Sequence, residues 1–311
     1  MPARTPRQTL KKIVTVYFPL VVGVILTALG ALYFIEVSQA QPAIKLPHYG
    51  ILPFSSREFG ADLITFEVTS ISLEGGYVDF AYDAETYVKE GEETITFGLQ
   101  MPYKVDGAFF KVVGLDNDKK EVYYTGDAEV RWMPEKDISI IYYEFQPQSK
   151  YPYYRTQISG RWSNPVIKRG YSSFELMVPF SNSDSDALEG VKPGMFWIYP
   201  NRNNTSGDLK VSLKANLPIG SEITESVPQL KGEVIYWTEQ NGGHRSVVLE
   251  DQVGFGRPYG NPVLQSFRIE FEQQSLREQY DRLVFNSGLF LGVGIQFLIA
   301  GLYDAIKLKE K

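Results

Sequence analysis

Two long apolar runs, one near each end of the chain, constrain the fold more than any other feature of this sequence. They cover residues 13–35 and 283–303, and neither contains a charged side chain. As α-helices they extend roughly 34 Å and roughly 32 Å, and the hydrocarbon core of a bilayer is about 30 Å thick. The sequence therefore predicts two transmembrane helices, the first at residues 13–37 and the second within residues 275–306.

Basic residues flank both runs on the side away from the middle of the chain. Residues 1–12 carry four basic and no acidic side chains, and residues 307–311 carry three lysines. Short basic flanks stay on the cytoplasmic side of a membrane. We therefore predict an integral membrane protein in which residues 1–12 and 307–311 are cytoplasmic and residues 38–282 are periplasmic or extracellular.

A cleaved signal peptide is the alternative interpretation of residues 1–40. A basic segment precedes the first apolar run, and Ser38-Gln39-Ala40 resembles a signal-peptidase site. The apolar part of a signal peptide usually has about 7–15 residues. The longer run here favours a retained anchor.

The second membrane helix is predicted to begin before the bilayer. Ser275 and Glu278 have the spacing of a capping box, and Arg277 and Asp281 form an opposite-charge pair one turn apart. These residues predict one continuous helix from about residue 276 to residue 306.

Each predicted membrane helix carries a stripe of small or polar residues. Small residues allow two helix backbones to approach closely, and an amide side chain can hydrogen-bond across the contact. These faces are predicted to pack on protein, which is the other helix, a second copy of the chain or a partner. The stripes are Gly23, Thr27 and Ala31 on the first helix, and Gly288, Gly292, Gln296 and Ala300 on the second.

The section between the apolar runs has the pattern of a β-protein. Short segments rich in Val, Ile, Thr, Tyr and Phe alternate with polar residues and end at Gly, Pro, Asn or Asp. Many short strands indicate an all-β ectodomain built as an antiparallel β-sandwich. The proline-containing segment 146–152 suggests two lobes, at residues 38–147 and 148–274, and one large continuous sandwich is the alternative.

Composition excludes several classes of function. The chain has no cysteine and two histidines, which argues against a metal centre, thiol chemistry or a bound cofactor. The section between the basic flanks has a net charge of −11, which argues against nucleic acid as a partner. No nucleophile elbow, P-loop or zinc-protease motif is present, so no enzyme is predicted. A glycosidase-type pair of carboxylates stays open, because such a pair forms in space and not in sequence.

Aromatic residues are the first candidates for a ligand-binding site. An Arg-Trp pair occurs twice, at Arg131-Trp132 and Arg161-Trp162. Exposed aromatic planes beside arginine bind sugars or cations, whereas buried ones fill a sandwich core. The second interpretation is favoured for the four tryptophans, which are Trp132, Trp162, Trp197 and Trp237.

Two polar loops are weaker candidates. The oxygen-bearing residues Asn182, Asp184, Asp186 and Glu189 resemble a calcium loop but lack the glycine of an EF-hand, so a solvated surface loop is favoured. Asn203 and Asn204 begin overlapping glycosylation sequons, for which a plain turn is the alternative.

These features predict a non-enzymatic two-pass membrane protein. Its partners are the lipid bilayer and other membrane or envelope proteins, or its own copies, and its role is that of an accessory or scaffold subunit. An oligomeric ligand-gated pore is the first alternative, because two helices with a large β ectodomain also describe such channels. A surface receptor or lectin-like binder is the second.

Overall fold

The computed structural model describes residues 6–37, 47, 49–56, 59–87, 94–116, 119–148, 151, 153–181, 196–200, 209–228, 237–239, 244–253 and 264–309. They fall into two compact units. One unit contains both helices together with Gly170–Ser172, and the other contains the β-strands.

Both apolar runs form long helices. Helix α1 is Pro6–Val37, with Pro19 inside it, and helix α2 is Gln274–Lys309. Each is long and apolar enough to cross a membrane. Helix α2 is continuous over its length, so the segment that begins at Gln274 is part of the same helix as the apolar run.

The rest of the described chain is mostly β-strand. The strands are β1 (Leu52–Ser55), β2 (Phe59–Ser72), β3 (Tyr77–Tyr87), β4 (Ile95–Pro102), β5 (Val105–Asp116), β6 (Lys119–Met133), β7 (Ile138–Phe145), β8 (Tyr153–Ser163), β9 (Val166–Lys168), β10 (Ser173–Ser181), β11 (Phe196–Pro200), β12 (Leu209–Leu217), β13 (Ser221–Val227), β14 (Trp237–Glu239), β15 (His244–Val253) and β16 (Leu264–Gln273).

Twelve of these strands form one curled sheet. Its order is β11-β1-β4-β7-β6-β5-β8-β3-β2-β12-β15-β14. Strand β11 pairs with β1 and also with β2, so the strands from β11 to β2 in this order form a closed ring. Most pairings are antiparallel, as expected for a sandwich, but β2 runs parallel to both β11 and β12.

The other four strands form a second sheet, in the order β13-β16-β10-β9. The two sheets share an aromatic core. The ring of Phe66 in β2 meets the rings of Trp162 and Phe180 edge-on, each at 6.1 Å between centroids. Phe180 in β10 in turn meets Phe267 in β16 at 5.6 Å. The two sheets therefore pack against each other at these rings.

Sheet pairing crosses the segment at which the sequence suggests a boundary between lobes. Strand β8 follows residues 146–152 in the chain but lies between β5 and β3, which precede them. Strand β12 likewise pairs with β2. Strands from both sides of the segment therefore share one sheet and belong to one compact unit.

A period of two in the sequence explains how the strands bury one face. In β3, Val78, Phe80, Tyr82 and Ala84 are buried, and the residues between them are partly exposed. Successive side chains of a strand point to opposite faces, so alternate apolar residues collect on one side of the sheet. Across the curl of the sheet, the ring of Phe110 in β5 stacks on the ring of Tyr143 in β7, with centroids 4.1 Å apart.

Candidate functional site

Helices α1 and α2 pack along each other as an antiparallel hairpin. A Cβ atom built on Gly23 would lie 2.8 Å from the backbone nitrogen of Leu298. One built on Gly30 would lie 2.8 Å from the backbone nitrogen of Leu291. These approaches leave no room for a larger residue, so glycine permits the close contact of the two backbones.

The contact follows a spacing of seven residues on both helices. Gly23 and Gly30 supply the small residues on α1, and Ser287, Gly294 and Gly301 supply them on α2. A seven-residue repeat corresponds to the left-handed packing of coiled coils. The buried hydroxyl of Ser287 donates a hydrogen bond of 3.1 Å to the carbonyl oxygen of Gly30, which adds a polar link inside the hairpin.

The predicted stripes divide between this contact and an open face. Gly23 and Thr27 lie in the contact, where Thr27 meets Gly294, and Ala31 is half-buried. The α2 stripe lies elsewhere on its helix. A Cβ atom on Gly288 or Gly292 would have nothing within 4 Å. Gln296 and Ala300 are exposed. We call the set Gly288, Gly292, Gln296 and Ala300 the open α2 face.

The Arg-Trp pairs do not form a ligand-stacking surface at Trp162. This side chain is 0% exposed, and its indole nitrogen donates a hydrogen bond to the carbonyl oxygen of Pro102. Consecutive strand residues point to opposite faces, so Arg161 lies on the outside of the sheet. There it pairs with Asp79 at 2.9 Å and stacks over the ring of Tyr77 at 4.1 Å.

The other predicted tryptophans give less information. Trp132 is half-buried near the end of β6. Trp197 and Trp237 lie in β11 and β14, and their side chains are outside the described part of the structure. The calcium-loop candidates Asn182, Asp184, Asp186 and Glu189 and the sequon residues Asn203 and Asn204 also lie outside the described residues. Within the described ranges, no group of three or more His, Cys, Asp or Glu side chains is placed to hold a metal ion.

Four connections between strands meet at one end of the β unit. They are the β2–β3 turn, the β4–β5 corner, the β6–β7 turn and the β8–β9 turn, and we call them the turn cluster. Direct backbone hydrogen bonds join each connection to the next, so the cluster is held as one piece. The bonds run from the nitrogen of Asn164 to the oxygen of Gly76 (2.8 Å), from Ser163 to Lys104 (3.0 Å) and from Tyr103 to Asp137 (2.8 Å).

The turn cluster contains unusual backbone conformations. Tyr103, Asp137 and Asn164 have φ values of 66°, 57° and 66°, and they are all of the non-glycine residues with positive φ in the described part of the chain. Asp and Asn adopt this conformation comparatively readily, whereas a bulky residue such as Tyr is a genuine outlier. The backbone at Tyr103 is therefore strained.

Surrounding hydrogen bonds hold Tyr103 in this conformation. The buried Ser139 hydroxyl donates to the carbonyl oxygen of Tyr103 at 3.1 Å and accepts from the backbone nitrogen of Val105 at 2.9 Å. Burial and the nearby Asp137 carboxylate raise the pKa of the Tyr103 hydroxyl above its ordinary value.

Comparison with known proteins assigns no family. No family model matches the chain, and a search of curated proteins finds no significant match. Among solved structures, the chain is similar to an M1 zinc metallopeptidase from Deinococcus radiodurans, with 10% identity and a TM-score of 0.32 over 70% of this chain and 42% of that one. It is also similar to a protein from Legionella pneumophila described as nutrient-binding, with 8% identity and a TM-score of 0.34 over 75% of this chain and 73% of that one. This chain spans less than half the length of the metallopeptidase.

Proposed function

We propose that this protein is a two-pass membrane protein without catalytic activity, and that it acts as an accessory or scaffold subunit of a membrane or envelope complex. In this proposal the β unit is periplasmic or extracellular and both flanks are cytoplasmic. The partners are other membrane proteins, or further copies of the chain, together with the lipid of the bilayer. The open α2 face is the observation that carries the proposal.

The hairpin supports retention of α1 as a membrane anchor. Glycines of α1 lie against backbone atoms of α2, and Ser287 hydrogen-bonds to Gly30. A signal peptide that is removed has no need of such a matched contact. Many large apolar side chains on the other faces of both helices are more than half exposed, among them Leu32 at 63% and Phe285 at 68%. Lipid is the environment in which that exposure has no cost.

The open α2 face supports contact with a further membrane helix. Its residues recur every four positions, which is the spacing of the right-handed small-xxx-small contact. The intrachain contact uses a different face with a spacing of seven, so the two faces can be occupied at the same time. The face also carries the amide of Gln296, whose insertion into hydrocarbon is unfavourable unless it finds a hydrogen-bond partner.

The proposal predicts that Gly292→Leu weakens association with the partner. A leucine at this position would fill the cleft into which a neighbouring backbone fits, whereas the intrachain hairpin contact is left untouched. We expect a loss of about tenfold in recovered partner, which equals roughly 1.4 kcal/mol of association free energy. The measurement is extraction in mild detergent followed by native mass spectrometry of the intact assembly.

A matched control is Phe297→Leu, because Phe297 is an exposed apolar residue on the side of the same helix that faces away from Gly288 and Gly292. We expect wild-type recovery of the partner with this variant. A wild-type chain that is extracted as a lone monomer would contradict the proposal. Equal partner recovery with Gly292→Leu would remove the open α2 face as its basis.

A further inference from the structure

We infer that the interior of the closed strand ring binds one ordered water molecule, held by the hydroxyl groups of Tyr82, Tyr143 and Thr156. This inference goes beyond the proposed function and does not depend on it. The observations that carry it are two buried phenol hydroxyls without a hydrogen-bond partner and the strand register that directs both of them into the ring.

Both phenols lie on the inner face of the ring. The strand register places Tyr82 of β3 beside Ile158 of β8, and Ile158 beside Phe110 of β5. Residues paired directly across strands share one face of a sheet. The ring of Phe110 stacks on the ring of Tyr143 in β7. Tyr82 and Tyr143 therefore point into the same interior from strands that are not neighbours, since β6, β5 and β8 lie between β7 and β3.

The three hydroxyl-bearing side chains are buried and lie near one another. Tyr82 and Tyr143 are 3% and 4% exposed, and Thr156 is 2% exposed. Burial raises the pKa of both phenols, and the nearby Tyr143 raises the pKa of Tyr82 further. The Thr156 hydroxyl lies close enough to Tyr143 to oppose the effect of burial on the pKa of Tyr143.

The two phenol hydroxyls lack partners within the protein. Among the described residues, neither the Tyr82 nor the Tyr143 hydroxyl makes a hydrogen bond. The Thr156 hydroxyl donates to the carbonyl oxygen of Ala84 at 3.3 Å, so its own oxygen is still able to accept. A buried hydroxyl without a partner is unfavourable, because it has lost its hydrogen bonds to water and gained none in return. Two such groups in one interior indicate a bound partner that is not a side chain.

Water is the ligand that fits these groups. The three hydroxyls carry no charge, so they offer no basis for holding an ion. A buried water molecule typically makes about three hydrogen bonds to polar groups that have no other partner. One water can accept from both phenols and donate to the oxygen of Thr156. The stacked rings of Phe110 and Tyr143, with centroids 4.1 Å apart, favour a molecule of this size over an organic ligand.

The first experiment is urea unfolding of the full-length protein in detergent. Tyr82→Phe and Tyr143→Phe each remove one hydroxyl and keep the ring, so both variants are expected to fold. Each variant takes one partner away from the water, and we expect the folding equilibrium constant to fall by about fivefold. A hydroxyl without any ligand would give the opposite sign, because its removal relieves a buried polar group.

The double variant Tyr82→Phe with Tyr143→Phe tests whether the two hydroxyls share one ligand. We expect it to lose less than the product of the two single losses, because a water released by the first substitution leaves the second hydroxyl nothing to bond. The control pair is Tyr143→Phe with Tyr154→Phe. The Tyr154 hydroxyl is bonded directly to the backbone of Gln148, at 2.7 and 2.8 Å, so the losses in this pair are expected to multiply.

A crystal structure of the full-length protein, at a resolution that shows ordered water, separates a shared water from a direct contact between the hydroxyls. We expect one water within about 3.2 Å of the hydroxyl oxygens of Tyr82, Tyr143 and Thr156. Unchanged or increased stability of both single variants would overturn the inference, as would phenols that bond directly to each other with no water between them. Either of these results leaves the proposed function standing, because the open α2 face is tested separately.

Discussion

At the scale of single residues, the most unusual group in the β unit is the carboxylate of Glu175. It is fully buried in β10 and contacts the guanidinium groups of Arg169 and Arg268. Arg268 also contacts Glu270 at 2.9 Å. A buried charge is tolerated when it is paired and hydrogen-bonded, so the two arginines account for the position of Glu175.

We predict that Glu175→Gln lowers the stability of the β unit. The variant would leave two guanidinium groups without their shared partner inside the four-stranded sheet. Since both arginine side chains are about one-third exposed, at 31% and 35%, we expect a loss near the lower end for buried pairs, about 3 kcal/mol. Urea unfolding of the full-length protein in detergent, followed by tryptophan fluorescence, measures this loss.

Glu222→Gln is the control for this experiment. Glu222 is an exposed residue of β13 on the same sheet, and its replacement is expected to change stability by less than about 0.5 kcal/mol. Unfolding midpoints that coincide for Glu175→Gln and Glu222→Gln would show that the buried carboxylate contributes nothing to stability.

Residue patterns in the sequence predicted part of the candidate site. The buried position of Trp162 and the outward position of Arg161 follow from the period of two in a strand, which separates neighbours onto opposite faces. Tyr103 could not be predicted, because Pro102-Tyr103-Lys104 has no glycine or asparagine to indicate positive φ. Its conformation is imposed by contacts with Asp137 and Ser139, which are distant in sequence.

At the scale of elements, the two helices and the β character of the middle section were predictable. Both signals are local, because an uncharged run of more than 20 residues and a period of two are read within a short window. The pairing of strands was not predictable in the same way. Placing β8 between β5 and β3 depends on contacts with earlier strands, and a proline-containing segment carries no information about them.

Helix α2 carries two different spacings of small residues. A spacing of four drew attention to Gly288 and Gly292, whereas the contact with α1 uses Ser287, Gly294 and Gly301 at a spacing of seven. Both patterns are present in the sequence, and each belongs to a different face of α2. The seven-residue spacing was the signal that would have found the intrachain contact.

We predict that a cysteine pair at Tyr33 and Phe290 is cross-linked by oxidation within one chain. The two rings stack across the hairpin with centroids 5.8 Å apart, so the two side chains face each other and neither position is a glycine of the close backbone contact. The natural chain has no cysteine, so no other thiol can form a disulfide in this experiment. After oxidation and proteolytic cleavage of the β unit, the two helix-bearing fragments are expected to migrate together on a non-reducing gel.

The control pair is Tyr33→Cys with Gly292→Cys, since Gly292 belongs to the open α2 face. Its fragments are expected to separate on the same gel. Separation of the fragments of the Tyr33–Phe290 pair as well would show that the hairpin contact does not form in the membrane.

At the scale of the whole molecule, the proposed topology places the β unit on one side of the membrane. The N-terminal end of α1 and the C-terminal end of α2 lie on the other side. Ser159 is exposed on β8, and Lys307 is exposed in the last turns of α2. The basic flanks favour the cytoplasm for the helix ends, and an acidic β unit of this size is translocated irrespective of its charge. Ser159→Cys is therefore expected to react with a membrane-impermeant maleimide in intact cells, once any outer membrane has been permeabilised.

Lys307→Cys is the internal reference, because the same reagent should reach it only after the inner membrane is lysed. Since no natural cysteine competes for the reagent, the labelled fraction of each variant reports on one position. Labelling of Lys307→Cys with protection of Ser159→Cys would invert the topology and place the β unit in the cytoplasm. Labelling of both before lysis would mean that α1 and α2 do not span the bilayer as a pair, and the open α2 face would then lose the membrane environment on which its proposed role depends.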